Sequence, residues 1–160
     1  EAVQDILEDE GIDAILHCAA RSLVGESVRD PAKYYRDNVA GGIGLLEAAR
    51  GAGVRRVVFS STAAVYGIPA STPILEDAPL APINTYGETK RTFEGALRWY
   101  GAAYGLRSVI LRYFNVAGAT ERLSATTSTS RTWRRRTWRR WRRRIRVIRA
   151  PARGMAPRNL

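Results

Sequence analysis

The chain has 160 residues, with 26 Lys and Arg against 15 Asp and Glu, a formal net charge of +11. The charge is not spread evenly: residues 1–122 hold 13 basic and 15 acidic residues, and residues 123–160 hold 13 basic residues and no acid. A net −2 excludes the first piece from the nucleic-acid binding that +11 alone suggests. One cysteine, Cys18, excludes an internal disulfide framework and fits a reducing cytoplasm. No apolar run reaches the ~18 residues of a membrane span, so no membrane partner is expected. Glu1 opens an acidic stretch with neither an initiator Met nor a basic leader, so the start reads as the middle of something longer.

From Glu1 to Gly11, Val3, Ile6 and Leu7 recur at helical spacing, and Gly11 stands where a C-cap glycine would. Ala14 to Ala20 is a short apolar run, as in a strand covered on both faces. Asp30 and Pro31 open a helix as N-cap and first residue. Tyr35, Val39, Leu45, Leu46 and Ala49 form its apolar stripe, and Gly51 and Gly53 close it. Val54 to Ser60 is a second β-branched run. A connection carrying Pro69, Pro73, Pro79 and Pro82 leads to a helix from about Thr85 to Tyr104, with Phe93, Leu97 and Tyr100 on one side. Ser108 to Phe114 is a third strand. Strands separated by helices of this length imply parallel crossovers and an α/β fold.

After Arg122 the composition changes. Ser124 to Arg131 is rich in Ser and Thr, and Thr132 to Arg149 is almost entirely Arg, Trp and Thr until Ile145. Few aliphatic residues and strong self-repulsion predict a disordered or irregular basic tail. Three readings compete for residues 123–160. One is a nucleic-acid-binding arm in which Arg meets phosphates and Trp133, Trp138 and Trp141 stack on bases. The second is a solvated tail. The third, preferred on composition, is out-of-frame translation of GC-rich DNA.

The chemistry concentrates between residues 17 and 115. Tyr86 and Lys90 stand four apart on a predicted helix and share a face. An ammonium beside a phenol favours the phenolate, which makes Tyr a usable base near neutral pH. The plain alternative is a solvated Lys beside a half-buried Tyr. Ser60, Ser61 and Thr62 end the middle strand, and ligands of open α/β sheets bind outside the carboxyl ends of strands. Those hydroxyls could equally satisfy backbone groups at a turn. The other strands end in His17-Cys18-Ala19-Ala20-Arg21-Ser22 and in Tyr113-Phe114-Asn115, and small Ala19 and Ala20 allow close approach to the backbone. His17, the only histidine, reads as a packed, hydrogen-bonded residue rather than an acid or base. Cys18 has no partner at the spacing a metal site or nucleophile pair needs, so neither metal nor thiol chemistry is expected.

These runs carry a resemblance. His17-Cys-Ala-Ala20, Val24-Gly-Glu-Ser27, Tyr34-Tyr35, Asn38-Val39, Phe59-Ser-Ser-Thr62, Val65-Tyr-Gly67, Tyr86-Gly-Glu-Thr-Lys90 and Leu111-Arg-Tyr-Phe-Asn-Val-Ala-Gly-Ala119 occur in that order through residues 1–122. Together they resemble the nucleotide-sugar epimerases of the extended short-chain dehydrogenase/reductase family. The related dehydratases place an acidic residue beside the strand-end hydroxyl. Ala63 and Ala64 follow Thr62 here, which favours an epimerase. The Arg112 to Ala119 run is more similar to the galactose-type epimerases than to the uronate-type ones.

The resemblance implies a partial Rossmann-like, doubly wound parallel sheet and NAD-dependent inversion at C4 of a UDP-hexose through a 4-keto sugar. It makes Tyr86 the base for the 4-hydroxyl proton and Thr62 a hydrogen-bond partner of the same oxygen. Lys90 would hold the nicotinamide ribose and lower the Tyr86 pKa. By position, Cys18, Ala19, Ala20, Arg21, Ser22, Asn38 and Phe114 match cofactor contacts, and Asn115 matches a substrate contact. Where the family often has Lys, this chain has Ser22. Relatives often dimerise through helices matching the Asp30–Gly51 and Thr85–Tyr104 segments. The family's Gly-rich strand–turn–helix, which cradles the pyrophosphate, has no counterpart here, since Gly41-Gly42-Ile43-Gly44 lies inside a predicted helix. The expectation is an internal fragment, holding the catalytic pair without most of its cofactor cradle.

Overall fold

The computed structural model describes residues 2–115. The basic tail, with its three competing readings, lies outside the described residues.

Helix α1 (Ala2–Asp9) leads to strand β1 (Ile15–His17), followed by the short helices α2 (Val24–Arg29) and α3 (Pro31–Tyr34). A π-helical segment, Tyr35–Ala40, continues α3 into α4 (Gly41–Gly51). Strand β2 (Arg56–Thr62) ends in a 3₁₀ turn, Ala63–Tyr66. After the Pro-rich connection come helix α5 (Thr85–Tyr104) and strand β3 (Arg107–Tyr113). The sheet is parallel, in the order β1-β2-β3, with Ile15 opposite Val57 and Val57 opposite Ser108. Parallel neighbours require a crossover, and the two helical connections supply them.

One face of the sheet carries the core. Leu46 of α4 and Phe93 and Leu97 of α5 pack on Val57 and Phe59. Leu7 of α1 meets Ala49 and Val54 beside Ile15. Burying a side chain such as Phe93, 1% exposed, stabilises the fold by about 1.5–3 kcal/mol. The opposite face is open on its outer strands: Leu16 is 45% exposed and Val109 54%, while Val58 between them in the same register row is 9% exposed. The described helices therefore wind over one face only, which is one half of the doubly wound plan.

That arrangement corrects several expectations. The Ala14–Ala20 run is a strand only over Ile15–His17, and it is not covered on both faces. In α1 only Leu7 is buried, while Val3 and Ile6 face outward. The second strand runs two residues further than the β-branched run suggested, so the three hydroxyls lie on the ladder, with Thr62 opposite Tyr113. The segment Val24–Arg29, given no element from sequence, is helical.

The helix opened by Asp30 is capped as predicted, with the Asp30 carboxylate accepting the Lys33 amide at 3.1 Å. Its stripe, however, changes phase. Tyr34 is fully buried and Tyr35 is 43% exposed, because the π turn inserts an extra residue into the helical repeat. The same turn directs Asn38 inward to 5% exposure. Helix α5 matches its predicted span: Asn84 caps it through the Gly87 amide, and Gly105, with φ of 70°, ends it.

Candidate active site

Tyr86 sits in the first turn of α5, beside the carboxyl end of β2. Its backbone is held from two sides. The buried Ser27 hydroxyl accepts the Tyr86 amide at 3.2 Å and donates to the Val24 carbonyl at 2.7 Å. The Thr89 hydroxyl donates to the Tyr86 carbonyl at 2.8 Å. A Cβ on Gly87 would stand 2.7 Å from the Ala64 carbonyl oxygen. Glycine there lets the start of the helix abut the turn that follows Thr62. The Tyr86 ring is half-buried.

Lys90 lies one helical turn on and is 4% exposed. Its Nζ donates to the Ser60 carbonyl at 2.8 Å and stands 4.7 Å from the Phe59 ring centroid and 6.0 Å from that of Tyr86. Burial pulls the ammonium down from 10.5 to about 8, with Cys18 acting the other way. The expectation of a solvated Lys is thereby excluded for Lys90.

The three strand-end residues have separate uses. Ser60 offers its carbonyl to Lys90. The Ser61 hydroxyl donates to the Glu94 carboxylate at 2.5 Å. The Thr62 hydroxyl accepts the Ala64 amide at 3.2 Å, capping the 3₁₀ turn. One lone pair of Thr62 is thus spent on the turn, and its own proton is left to donate.

On the other side, the loop after β1 is exposed from Cys18 to Ser22. Asn38 reaches back to it: its Oδ1 accepts the Arg21 amide at 2.8 Å, and its Nδ2 donates to the Arg21 carbonyl at 3.0 Å. The same Nδ2 donates to the Thr89 hydroxyl at 3.2 Å, which links the loop to the residue that holds Tyr86. An open groove of about 400 Å³ runs along this loop, lined by His17, Ala19, Ala20, Arg21 and Asn38 and floored by Gly41, Gly42 and Leu45. At its rim Arg21 pairs with Asp37 and holds that carboxyl below its usual range.

His17 stacks on Phe59 at 5.6 Å and meets the edge of Phe93 at 5.4 Å. Burial, aided by the charge of Lys90, lowers its pKa to about 4, so it is neutral at pH 7. The expected packing is present. The expected hydrogen bond is not, among the described residues; the imidazole lines the open groove instead.

The structure therefore brings Tyr86, Lys90 and Thr62 to the end of β2, and Ala19, Ala20, Arg21 and Asn38 to the groove. Cys18 and Ser22 flank the groove without lining it. Phe114 and Asn115 follow β3 and are exposed. Sequence reasoning missed the supports: Ser27, and the buried Glu94, whose carboxylate accepts Arg112 Nη2 at 2.8 Å. The signal for the latter was present, since an Arg inside an apolar strand demands a buried acceptor.

A Tyr and a buried Lys one helical turn apart stand at the carboxyl edge of a parallel sheet, with a groove of small residues along the loop after β1. The family model described as "NAD dependent epimerase/dehydratase family" matches residues 1–146. The chain belongs to that family. It is 57% identical over 117 residues to a UDP-glucose 4-epimerase of Lactobacillus helveticus, covering 73% of this chain and 36% of that protein. It is 56% identical over 119 residues to one of Azospirillum brasilense, covering 74% and 34%. Among solved structures it is similar to the UDP-glucose 4-epimerase of Brucella ovis in complex with NAD. That match has a TM-score of 0.73 and 49% identity, covering 74% of this chain and 37% of that one. The chain spans about a third of the length of the curated relatives it matches. No helix among the described residues is long and apolar enough to cross a membrane.

Proposed function

We propose that this chain supplies the catalytic part of a UDP-glucose 4-epimerase, an isomerase of galactose metabolism that interconverts UDP-glucose and UDP-galactose with NAD. The observation that carries the reading is the Tyr86–Lys90 pair, with the Lys90 ammonium buried and fixed on the Ser60 carbonyl. Ala63 and Ala64 form the turn after Thr62 and place no carboxylate there, which supports epimerisation over the dehydration of related nucleotide sugars.

The residues present fit NAD. Lys90 spends one of its three donor positions on Ser60, which leaves two for the hydroxyls of a ribose. The groove along the loop after β1 lies within the usual range of ligand pockets, about 300–1,000 Å³, and small Ala19, Ala20, Gly41 and Gly42 line it. Cys18, Ala19, Ala20, Arg21, Ser22, Asn38 and Phe114 are the proposed cofactor contacts, with Thr62, Tyr86 and Lys90. When bound, NAD supplies the acceptor and donor of the hydride at sugar C4.

Tyr86 takes the proton of the 4-hydroxyl as the sugar becomes a 4-keto species. Thr62 donates its free hydroxyl proton to the same oxygen and orients it. Asn115 contacts the sugar from the end of β3. After the sugar has turned over, Tyr86 returns the proton and the 4-hydroxyl forms with the opposite configuration. Cytoplasmic location and a homodimer complete the reading, supported by the free thiol of Cys18 and by Trp99, 76% exposed on the outer side of α5.

The test is a chimera in which residues 2–115 replace the matching segment of the Lactobacillus helveticus relative. The chimera is expected to convert UDP-galactose to UDP-glucose, and Tyr86→Phe to lower kcat by about 10²–10⁴-fold, the usual worth of a general base. A folded but inactive chimera, or a Tyr86→Phe variant with kcat intact, overturns the proposal.

A further inference from the structure

Glu94 is the most deeply buried charge among the described residues, at 0% exposure, and a buried carboxylate without compensation is costly. Its compensation is complete and specific. Oε1 accepts the Ser61 hydroxyl at 2.5 Å and Arg112 Nε at 3.1 Å, and Oε2 accepts Arg112 Nη2 at 2.8 Å. Arg112 spends its remaining arm outward from the pair. Its Nη1 donates to the Tyr66 hydroxyl at 2.9 Å and to the Glu76 carbonyl at 3.0 Å, and its guanidinium lies 5.0 Å from the Tyr66 ring centroid. One ion pair thus ties together the end of β2, the 3₁₀ turn after it, the Pro-rich connection, β3 and α5.

The position of Ser61 gives this cluster its significance. Ser61 lies between Ser60, whose carbonyl receives Lys90, and Thr62, whose hydroxyl caps the turn that abuts the start of α5. Strand alternation turns the Ser61 side chain to the helix-covered face, where Glu94 waits one helical turn beyond Lys90. An apolar residue at position 61 would pack there equally well, but it would leave the strand end free to shift against α5. A hydrogen bond to a charged, doubly held acceptor resists that shift.

We propose that Glu94 and Arg112 are positioning residues for the Lys90 site, acting through Ser61 to hold the carboxyl end of β2 at the height where the Ser60 carbonyl meets the Lys90 ammonium. The inference rests on the reading of Tyr86 and Lys90 as the working pair, and it assigns the geometry of that pair to a cluster that touches neither substrate nor cofactor.

Lys90 itself reports the outcome. It and Lys33 are the only lysines in the chain, so amine labelling across a pH series, read by mass spectrometry, follows Lys90 with Lys33 on the surface as reference. The groups around the Lys90 ammonium are His17 of β1, Cys18 in the loop after it, and Tyr86 on α5 itself. The 160-residue chain is used without NAD or sugar, so the result is independent of whether the epimerase reading survives its own test.

The labelling midpoint of Lys90 is expected near 8 in the parent. In Ser61→Ala, which leaves the ion pair intact, water reaches the ammonium and the midpoint rises toward 10.5. Ser61→Thr keeps the hydroxyl and restores the parent midpoint. Arg112→Lys, which cannot hold Glu94, Tyr66 and Glu76 at once, moves it upward as Ser61→Ala does. Circular dichroism establishes that each variant is folded. A midpoint unchanged in folded Ser61→Ala or folded Arg112→Lys overturns the proposal, as does failure of Ser61→Thr to restore it. If neither Ser61→Ala nor Arg112→Lys folds, the cluster holds the domain rather than the strand end, and the proposal also fails.

Discussion

The two sides of the candidate site are built by different means. On the α5 side, Tyr86, Lys90 and the end of β2 are placed by buried contacts: the Phe59–Phe93 pair at 4.7 Å, the Ser27 hydroxyl, and the Glu94–Arg112 pair. On the β1 side, the loop Cys18–Ser22 has no core beneath it, and one asparagine holds it through both backbone groups of Arg21. A packed core sets position through many weak contacts that no single substitution removes. A lone polar clamp sets position through two or three bonds that one substitution removes entirely. The reacting pair stands on a packed core reinforced by buried hydrogen bonds from Ser27 and Glu94, and the groove wall stands on the clamp without a core.

Three substitutions probe that contrast, beyond the two tests already described. Glu94→Ala strikes the buried side hardest, because it strips the half-buried Arg112 cation and the buried Ser61 hydroxyl of the carboxylate they share. It is expected to destabilise the domain by about 3–5 kcal/mol, measured as urea unfolding of the 160-residue chain. Loss of no more than about 1 kcal/mol would show that the network is wet and that the contrast is false.

Asn38→Ala is the matching cut on the other side. It removes the partner of the Arg21 amide and carbonyl and the bond that the Thr89 hydroxyl accepts, and about 1–3 kcal/mol is expected. The loss should be local, with faster hydrogen exchange in Cys18–Ser22 and little change in α5. Equal acceleration in both regions would mean that Asn38 belongs to the core rather than to the loop. The smallest effect is expected from Arg21→Ala. Its side chain pairs with Asp37 at the open rim, where solvent screens the charges. Unfolding should be unchanged, and a clear loss would show that the groove rim is structural.

The same contrast explains what could be read in advance. The helix of Tyr86 and Lys90 was legible from end to end, because Asn84, the Phe93–Leu97–Tyr100 stripe and Gly105 are local signals that agree. The parallel order of the strands followed from the lengths of the connections between them. The phase of the helix after Asp30 was not legible, since a π turn leaves no mark in apolar spacing, and the buried residue is Tyr34 rather than Tyr35. Nor was the strand end: the apolar run stops at Phe59, whereas pairing to β3 carries the strand through Ser60 and Ser61 to Thr62.

The sequence by itself determined the α/β plan and the Tyr86–Lys90 face, because periodicity and caps are properties of neighbours along the chain, whereas Asn38 entered only through the resemblance. Only the tertiary structure decided that Lys90 is buried on the Ser60 carbonyl, that Ser61 serves Glu94, and that Asn38 holds the loop instead of pointing freely into the groove. It also decided that the described helices cover one face of the sheet and leave Leu16 and Val109 bare. Each of these joins residues 17 to 51 positions apart, or depends on which element lies over which strand. Burial and hydrogen-bond satisfaction are fixed by such distant neighbours, and adjacent residues carry no record of them.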